Sequence, residues 1–435
     1  MQDKLLYIET YGCQMNEYDT NRIRTALNCK STDDPEQADI ILVNTCAIRE
    51  KADQKAFSSL GKFKHLKKRN PEMVLGITGC VAQLYGKKLI ERMPYLDLVL
   101  GPRAIPNLPS LISEIQSNKS SKVETSFDIE ELFEYHPYHQ EGKVTAFVSI
   151  QQGCNKRCSY CIVPTVRGDE ANRPLDDIIK ESIMLINKGV KEITLIGQTV
   201  NSWKYNGYKF GELLEILSEL EGLERLRFTT SYPRDVTKKM IRSMSLSSKI
   251  CNHIHLPVQS GSNNVLKKMK RTYTKDWYID SVNRLKESIP GISITSDFIV
   301  GFPGESDEDF QQTLNLINDL EFDASFSFKF SPRPGTVASE YQKSEYVPDN
   351  IASKRLSELQ KLQRYITFRK NKSREGRIEQ VLVDSRSKKN ENLLSGRTSQ
   401  NRITNFAGKQ ELIGKIVNVK IKEGLPNSLR GELIE

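Results

Sequence analysis

Residues 152–161 read Gln152-Gly153-Cys154-Asn155-Lys156-Arg157-Cys158-Ser159-Tyr160-Cys161. Three of the chain's eight cysteines fall here in the spacing C-x₃-C-x₂-C, directly after an apolar run at 146–150 that is typical of a buried strand. Three thiolates on one tight loop can hold an iron–sulfur cluster and leave one iron without a protein ligand. Zinc is the alternative, but structural zinc takes four ligands, usually from two C-x₂-C pairs, and the sequence has no partner pair. The spacing therefore favours an iron–sulfur loop at the end of a strand.

The composition indicates a soluble protein with several domains. A chain of this length suggests about two to four domains, and its 37% hydrophobic and 27% charged residues suffice for ordinary cores. No apolar run reaches membrane-spanning length, and the start, MQDKLLYIETYG, lacks the form of a signal peptide. We therefore expect a cytoplasmic protein with no membrane partner, in which clustered cysteines indicate metal binding or catalysis rather than disulfides. The net charge of +9 permits a nucleic-acid partner without establishing one.

Three further cysteines follow candidate strands in residues 1–118. Short apolar runs alternate there with helix-like segments, which indicates an α/β layer with strands near 5–10, 39–44, 73–78 and 96–100. The first three runs lead into Cys13, Cys46 and Cys80, at intervals of 33 and 34 residues. If the strands are parallel, these cysteines lie beyond one edge of a sheet, where α/β sheets place their ligands. A shared second cluster is the functional interpretation, and three separate buried thiols are the structural alternative.

After a polar and then acidic connector at 119–142, strand and helix patterns alternate regularly. Strands are predicted at 145–151, 192–197, 225–230, 253–257, 293–300 and 325–330, with helical patterns between them. Six βα-type repeats suggest an open parallel barrel, whose chemistry belongs at the carboxyl ends of its strands. The loop of Cys154, Cys158 and Cys161 follows the first of these strands, so we expect it at the mouth of the barrel.

The last part of the chain is basic and changes in character. A basic helical stretch at 352–372 precedes short strands predicted at 378–384, 402–406 and 415–422. Residues 371–435 carry 13 lysine and arginine residues against 8 acidic residues, a net charge of +5. A small basic β-barrel is a reasonable tether for nucleic acid, although a merely basic β-domain is the alternative.

The cysteine loop at the end of the first strand of a six-fold βα barrel resembles the radical S-adenosylmethionine superfamily. With the three-cysteine domain before it and the basic β-domain after it, the whole chain resembles the methylthiotransferase family. The resemblance implies a three-layer α/β methylthiotransferase domain at 1–118, a connector at 119–142, an incomplete parallel (β/α)6 radical domain at 143–372, and an antiparallel TRAM-type RNA-binding barrel at 373–435. It also implies two 4Fe–4S clusters, a sulfur-carrying one on Cys13, Cys46 and Cys80 and a radical-generating one on Cys154, Cys158 and Cys161. Cys29 and Cys251 match neither set.

Other strand ends fit the same resemblance. It implies contacts with S-adenosylmethionine after the second and fifth barrel strands, at Gly197, Gln198, Asn201, Gly301 and Gly304. Glycine turns there would let the backbone approach the adenosyl group. The candidates for substrate contact are Gln259 and Ser260 after the fourth strand, and Arg397, Asn401 and Arg402 in the terminal domain.

The implied reaction is methylthiolation of adenine C2 in tRNA. The resemblance implies two molecules of S-adenosylmethionine per turnover, one as methyl donor and one as radical source, because an aromatic C–H is beyond acid–base chemistry. The expected partners are a tRNA anticodon stem-loop carrying isopentenyladenosine and an electron-donating flavodoxin or ferredoxin, and the expected oligomeric state is a monomer. The target base has to leave its stack to reach the clusters.

Three other functions compete with this prediction. One is methylthiolation of threonylcarbamoyladenosine in tRNA, and another is methylthiolation of an aspartate in a ribosomal protein. Two stretches count against both by resemblance, Gln14-Met15-Asn16 and Arg49-Glu50-Lys51. The third, from a different class, is a non-catalytic zinc-dependent RNA-binding protein.

Overall fold

The computed structural model describes residues 3–47, 50–127, 133, 140, 142–388 and 390–434. The chain divides into two units, of which the first comprises Met1–Gln140, Gln151–Lys156 and Cys161–Arg173, and the second comprises Glu141–Ile150, Arg157–Tyr160 and Pro174–Glu435. Within this described part, no helix is both long enough and apolar enough to cross a membrane.

Strands and helices alternate along most of the chain. The strands are β1 (Leu5–Tyr11), β2 (Lys30–Ser31), β3 (Ile40–Thr45), β4 (Val74–Gly79), β5 (Leu98–Leu100), β6 (Lys122–Glu124), β7 (Thr145–Ser149), β8 (Gln151–Gln152), β9 (Ala171–Asn172), β10 (Glu192–Ile196), β11 (Lys204–Tyr205), β12 (Tyr208–Lys209), β13 (Arg225–Phe228), β14 (His253–His255), β15 (Ser293–Val300), β16 (Ala324–Lys329), β17 (Ile378–Ser387), β18 (Asn390–Thr398), β19 (Ile403–Ala407), β20 (Ile416–Gly424) and β21 (Leu429–Leu433). The α-helices are α1 (Gln14–Leu27), α2 (Glu50–Arg69), α3 (Cys80–Tyr85), α4 (Lys87–Arg92), α5 (Leu108–Asn118), α6 (Val163–Arg167), α7 (Leu175–Asn187), α8 (Phe210–Ser218), α9 (Lys238–Leu246), α10 (Asn263–Lys268), α11 (Lys275–Ser288), α12 (Asp307–Leu320) and α13 (Asp349–Lys372).

The first unit is a parallel sheet between two layers of helices. Its order is β2-β1-β3-β4-β5-β6, and every neighbouring pair is parallel. All residues of β3 and β4 are buried, as expected for central strands of a parallel sheet with both faces covered. Ile23 of α1 and Ile112 of α5 pack in a core on one face, whereas Leu60 and Phe63 of α2 pack on the other. The predicted three-layer α/β arrangement is confirmed.

Two parts of the chain join this unit outside residues 1–118. β6 lies within the segment expected to be a connector, where Lys122–Glu124 pairs with β5. The second part is the short antiparallel pair β8–β9 together with α6, from which Ile162 and Val166 enter the core on the α2 face. Strand pairing places β6 in the first unit, and the apolar contacts of Ile162 and Val166 place the segment around α6 there. No break in the sequence pattern marks either segment.

The central part of the second unit is the predicted open barrel. Parallel pairing gives β7-β10-β13 and β14-β15-β16, and a parallel bridge from Leu226 to Ile250 joins the two groups. Helices α7, α8, α9, α11 and α12 cover the outer face with one continuous apolar core. Among the described residues, β7 pairs only with β10 and β16 only with β15, so the barrel is incomplete.

The terminal domain is a closed five-stranded barrel in the order β17-β18-β19-β21-β20. Its core contains Val381, Val383, Phe406, Val419 and Ile421. The expectation of an antiparallel barrel is correct for four of its five pairings, whereas β19 and β21 are parallel. The parallel pairing arises because β20 lies between them in sequence and runs on the far side of β21.

Candidate functional site

The first triad of cysteines lies at the switch point of the first unit's sheet. β1 lies between β2 and β3, and the helices that follow β1 and β3 pack on opposite faces. This topology opens a crevice at the carboxyl ends of β1 and β3, where doubly wound sheets bind ligands. Cys13 follows β1, Cys46 follows β3, and Cys80 is the first residue of α3 directly after β4. The structure therefore brings the three predicted ligands to one edge.

The thiols of this triad are in mutual contact. Cys46 hydrogen-bonds with both Cys13 and Cys80. Contact with Cys46 is the largest influence that lowers the pKa of Cys13 and of Cys80, while burial opposes it and Arg167 adds to it. The same contacts, with burial, raise the pKa of Cys46. Two of the three sulfurs thus favour the thiolate form that binds iron.

Gly12 lets two of these cysteines approach each other. Its φ is +153°, and a Cβ at this position would lie 2.5 Å from Cβ of Cys46 and 2.5 Å from Oδ1 of Asn16. The buried side chain of Asn16 also donates from Nδ2 to the carbonyl of Thr45 at 3.0 Å. Any larger residue at position 12 would push apart the loops that follow β1 and β3.

A buried arginine lies beside the first triad. Arg167, the last residue of α6, is 2% exposed. Its Nε donates to Sγ of Cys80 at 3.3 Å, and its Nη2 donates to Oδ2 of Asp19 at 2.6 Å. Burial tends to lower the pKa of Arg167, but Asp19 and Cys80 raise it well above its ordinary value. The guanidinium therefore stays charged and offsets the charge of the thiolates.

Neither member of the ion pair between Arg167 and Asp19 was predicted from the sequence. Asp19 and Arg22 lie three residues apart in α1, an arrangement that usually indicates an exposed helical pair, yet both are buried. Arg167 stands six residues after Cys161 in a polar stretch. Its position after the cysteine loop was the only available signal.

The donor set of the first triad fits an iron–sulfur cluster. Three sulfurs at one sheet edge, two of them with lowered pKa and one accepting from a charged guanidinium, match the ligand chemistry of such clusters. The described His, Cys, Asp and Glu side chains form no ready-made site for a single metal ion.

The loop that carries the second triad also depends on a glycine. Gly153 has φ +75°, and a Cβ there would lie 2.0 Å from the carbonyl oxygen of Asp169. The N–H of Cys154 donates to the carbonyl of Gly168 at 3.1 Å. The N–H of Lys156 donates to Sγ of Cys154 at 3.4 Å, and such N–H···S bonds are typical of cluster ligands. Both Cys154 and Cys161 belong to the first unit.

Within the second unit, Arg271 accompanies Cys158. Its Nη1 donates to Sγ of Cys158 at 3.4 Å, its Nη2 to the carbonyl of Pro257 at 2.7 Å, and its Nε to Oη of Tyr273 at 2.7 Å. The guanidinium also lies 4.7 Å from the ring centroid of Tyr232 and 5.0 Å from that of Tyr273. Arg271 was not predicted as a site residue, because nothing in its local sequence pattern separates it from a surface arginine.

The predicted cofactor contacts lie at the carboxyl edge of the central strands. Gly197 and Gln198 directly follow β10, and Gly301 directly follows β15 with φ +69°. Gly304 has φ +73°, and its N–H donates to the carbonyl of Glu345 at 2.7 Å. Asn201 is engaged within the fold, since its Nδ2 donates to the carbonyl of Tyr232 at 2.9 Å and its Oδ1 accepts from the N–H of Tyr232 at 2.7 Å.

The two predicted substrate contacts after β14 are both buried, but they differ in backbone conformation and in contacts. Gln259 has φ +79°, a left-handed conformation that is strained for a residue other than glycine and that clusters at functional sites. Ser260 is buried, and its Oγ lies 3.3 Å from Oγ1 of Thr313 in α12. Gln259 therefore stays a candidate for substrate contact, whereas the hydroxyl of Ser260 is used inside the fold.

The three predicted phosphate contacts lie where the terminal barrel meets the central strands. Arg402 is buried and pairs with Asp323 and Asn371. Nη1 of Arg397 donates to Oδ1 of Asn401 at 3.1 Å, and its carbonyl accepts from Arg225 at 2.5 Å. This position does not support a phosphate contact by Arg402. Among the residues that the structure describes, the exposed lysines of the barrel are Lys388, Lys409, Lys415, Lys420 and Lys422.

Three protein families match successive parts of the chain. Residues 5–101 match the uncharacterized protein family UPF0004, residues 148–317 match the Radical SAM superfamily, and residues 372–434 match the TRAM domain.

Relatives match over the full length. A tRNA-2-methylthio-N(6)-dimethylallyladenosine synthase from Buchnera aphidicola is 47% identical over 99% of this chain and 98% of its own. Proteins of the same name from Aromatoleum aromaticum and Francisella tularensis are 44% and 45% identical over at least 99% of both chains.

Among solved structures, the fold is similar to that of the radical S-adenosylmethionine methyltransferase TsrM from Kitasatospora setae. The TM-score is 0.58 at 14% identity, over 78% of this chain and 77% of that one. The cobalamin-dependent radical enzyme OxsB gives a TM-score of 0.52 at 12% identity, over 82% of this chain and 56% of that one.

Proposed function

Since the chain belongs to the radical S-adenosylmethionine methylthiotransferases, in the family of the tRNA-2-methylthio-N(6)-dimethylallyladenosine synthases, we propose that its two cysteine triads hold two 4Fe–4S clusters with separate tasks. The protein is a tRNA methylthiotransferase that adds a methylthio group to adenine C2 of isopentenyladenosine just 3′ of the anticodon. The observation that carries the two-cluster proposal is the meeting of Cys13, Cys46 and Cys80 at the sheet switch point, in addition to the cysteine loop of the Radical SAM match.

The residues of the second triad prepare the radical step. When bound to Cys154, Cys158 and Cys161, a cluster with S-adenosylmethionine supplies the radical that removes hydrogen from a C–H bond no side-chain base can break. Arg271 donates to Sγ of Cys158, and the N–H of Lys156 donates to Sγ of Cys154. Gly197, Gln198, Gly301 and Gly304 bind S-adenosylmethionine, of which one molecule per turnover is the radical source and one the methyl donor.

The first triad is proposed to hold the sulfur that becomes the methylthio group. Arg167 keeps a positive charge beside Cys80, which favours binding of an anionic sulfur. Separation of the two tasks explains why the chain has a second set of cysteines on a separate sheet.

We assign tRNA binding to the surface of the terminal barrel. The exposed lysines Lys388, Lys409, Lys415 and Lys420 contact phosphate, while Gln259 lies nearer the base that leaves its stack. A flavodoxin or ferredoxin supplies electrons, and the enzyme acts as a monomer on cytoplasmic tRNA.

Nucleoside mass spectrometry of tRNA tests the reaction. Cells that lack this protein should lose the methylthio group and keep the isopentenyl group on the same adenosine, and the cloned protein should restore it. If 2-methylthio-isopentenyladenosine persists while the methylthio derivative of threonylcarbamoyladenosine disappears, the assigned substrate is wrong.

A further inference from the structure

One nitrogen of Arg167 carries N–H donors that the fold does not use. Its Nε and Nη2 are bound to Cys80 and Asp19, but Nη1 is buried and finds no hydrogen-bond acceptor among the described residues. A buried donor without an acceptor is costly, and each one in a native protein calls for an explanation, of which a bound ligand is one. The donor belongs to a side chain that is 2% exposed and already touches the first cysteine triad.

Arg271 provides the comparison within the same chain. It also donates to a cysteine sulfur, but its Nε, Nη1 and Nη2 all have acceptors, in Tyr273, Cys158 and Pro257. The free donor is therefore not a general property of arginines that neutralise these thiols. Of these two arginines, Arg167 beside the first triad has a nitrogen without an acceptor among the described residues, and the first triad is the one proposed to hold the sulfur.

We propose that Nη1 of Arg167 donates a hydrogen bond to an anionic sulfur ligand, sulfide or methanethiolate, held at the triad of Cys13, Cys46 and Cys80, and positions it there. This inference rests on the proposed function of that triad. A guanidinium is suited to the task, because it stays charged when buried and presents several donors in one plane. The ion pair with Asp19 fixes the plane of the guanidinium, and the bond from Nε to Cys80 fixes its rotation. Arg167 is thus a positioning residue for the sulfur ligand.

The test isolates the first triad in the full-length chain. A parent variant with Cys154→Ala, Cys158→Ala and Cys161→Ala is reconstituted with iron and sulfide under anaerobic conditions, so that only the first triad can hold a cluster. Sodium methanethiolate is then titrated while the electron paramagnetic resonance spectrum of the reduced protein and its iron content are measured. The same measurements are made after adding Arg167→Gln or Arg167→Lys to the parent.

The expected result is unchanged iron content with methanethiolate affinity reduced about tenfold or more in Arg167→Gln, the loss expected for one charge-assisted hydrogen bond. Arg167→Lys, which keeps the charge but not the planar donors, should also bind more weakly than the parent and more tightly than Arg167→Gln. If Arg167→Gln loses iron, its methanethiolate affinity no longer tests the inference, and the affinity of Arg167→Lys is used instead.

Two results would overturn the inference alone. One is an Arg167 variant that keeps its iron and binds methanethiolate as tightly as the parent. The other is loss of iron from both variants, which would assign Arg167 to holding the cysteines. If the parent itself holds a cluster but does not bind methanethiolate, or holds no cluster, the proposed task of the first triad is wrong and the inference is overturned with it.

Discussion

Each cysteine triad is accompanied by an arginine that donates to one of its sulfurs, and of the two Arg167 is buried and Arg271 half-buried. Arg167 binds Cys80 at 3.3 Å and Arg271 binds Cys158 at 3.4 Å. Thiolate clusters carry net negative charge, and hydrogen bonds to their sulfurs tune the reduction potential. Two similar neighbourhoods in one chain can therefore hold chemically different clusters, depending on which further donors each arginine offers.

Single cysteine variants separate the tasks of the two triads. We expect Cys158→Ala to abolish formation of 5′-deoxyadenosine, because one proposed ligand of the radical cluster is lost. Cys13→Ala should still form 5′-deoxyadenosine but give no methylthiolated RNA. Liquid chromatography with mass spectrometry of a reconstituted reaction measures both products, and equal loss of 5′-deoxyadenosine in both variants would contradict the separation. Cys29→Ala, outside both triads, is the matched control.

Gly12→Ala tests the close approach of the loops after β1 and β3. The added Cβ meets Cβ of Cys46 at 2.5 Å, so the first triad should be disrupted and iron content should fall from two clusters toward one. Gly61→Ala in α2 is the control, because its Cβ would meet no atom within 4 Å. Iron and sulfide analysis after reconstitution gives the result, and full iron content in Gly12→Ala would show that the loops can move apart without loss.

Buried His253 gives the second unit a defined pH dependence. Burial, with Arg227 and His255 next in effect and Arg397 and Arg402 after them, holds the pKa of His253 well below its ordinary value. The unfolded chain therefore binds a proton near pH 6.5 that the folded chain does not. Stability is full above about pH 6.5 and falls as the pH drops, by up to about 1.4 kcal/mol per pH unit for this one group.

His253→Gln should flatten this acid-side loss of stability. Glutamine can retain a hydrogen bond to Thr295, which lies 3.2 Å from Nε2 of His253. Both tryptophans, Trp203 and Trp277, belong to the second unit, so tryptophan fluorescence during urea unfolding reports on that unit. If the free energy of unfolding falls between pH 7 and pH 5 as steeply in His253→Gln as in the unmodified protein, groups other than His253 cause the pH dependence. His65→Gln, an exposed histidine of the first unit, is the control.

Strand β13 attaches the terminal barrel through two arginines. Arg227 donates to the carbonyls of Ser399 at 3.0 Å and Thr398 at 2.7 Å, and its Nε lies 2.9 Å from Oε1 of buried Glu192. Arg225 donates to the carbonyls of Arg397 and Gln380. These side chains, although basic, are used for attachment rather than for binding RNA.

Arg227→Gln should destabilise the second unit by about 3–5 kcal/mol, because it leaves the carboxylate of Glu192 buried without a cation. The double variant Arg227→Met with Glu192→Met should lose less, since it removes both charges together. Urea unfolding followed by tryptophan fluorescence measures both. If the double variant is no more stable than Arg227→Gln, the loss of stability comes from the hydrogen bonds of Arg227 to the carbonyls of Thr398 and Ser399 and not from the unpaired charge of Glu192.

The exposed face of the barrel determines how RNA binding responds to salt. Each phosphate contact contributes about 0.7 to the slope of log affinity against log salt. Lys415→Ala with Lys420→Ala should therefore lower that slope by roughly 1.4 for an anticodon stem-loop. Lys62→Ala with Lys68→Ala in α2 removes the same charge from another exposed surface and should leave the slope unchanged. If both double variants lower the slope equally, the RNA is attracted by the overall charge of the protein and not by a site on the barrel.

For the molecule as a whole, the sequence predicted secondary-structure elements better than it predicted the contacts of individual charged side chains. Ten of the twelve strands in the first sheet and the central barrel were placed to within about two residues, because buried parallel strands are continuous apolar runs, whereas the short edge strands β2 and β6 were not predicted. β18 and β21 were missed, since polar positions and Gly431 interrupt their alternation. Arg402 was predicted to contact phosphate and is buried against Asp323, a difference that depends on contacts 79 residues apart in the chain.

The attachment of the barrel also sets the order in which the second unit can be completed during synthesis. Arg225 and the carbonyl of Arg397 are 172 residues apart. At about 5–20 residues per second, the ribosome needs roughly 10–30 s to make that interval. During this interval Arg225 and Arg227 lack their partners in the barrel, and Asp323, once it has been made, lacks Arg402. A nascent chain paused before β18 should therefore be sensitive to protease and bound by chaperones, and resistance should appear only when the final strands are released.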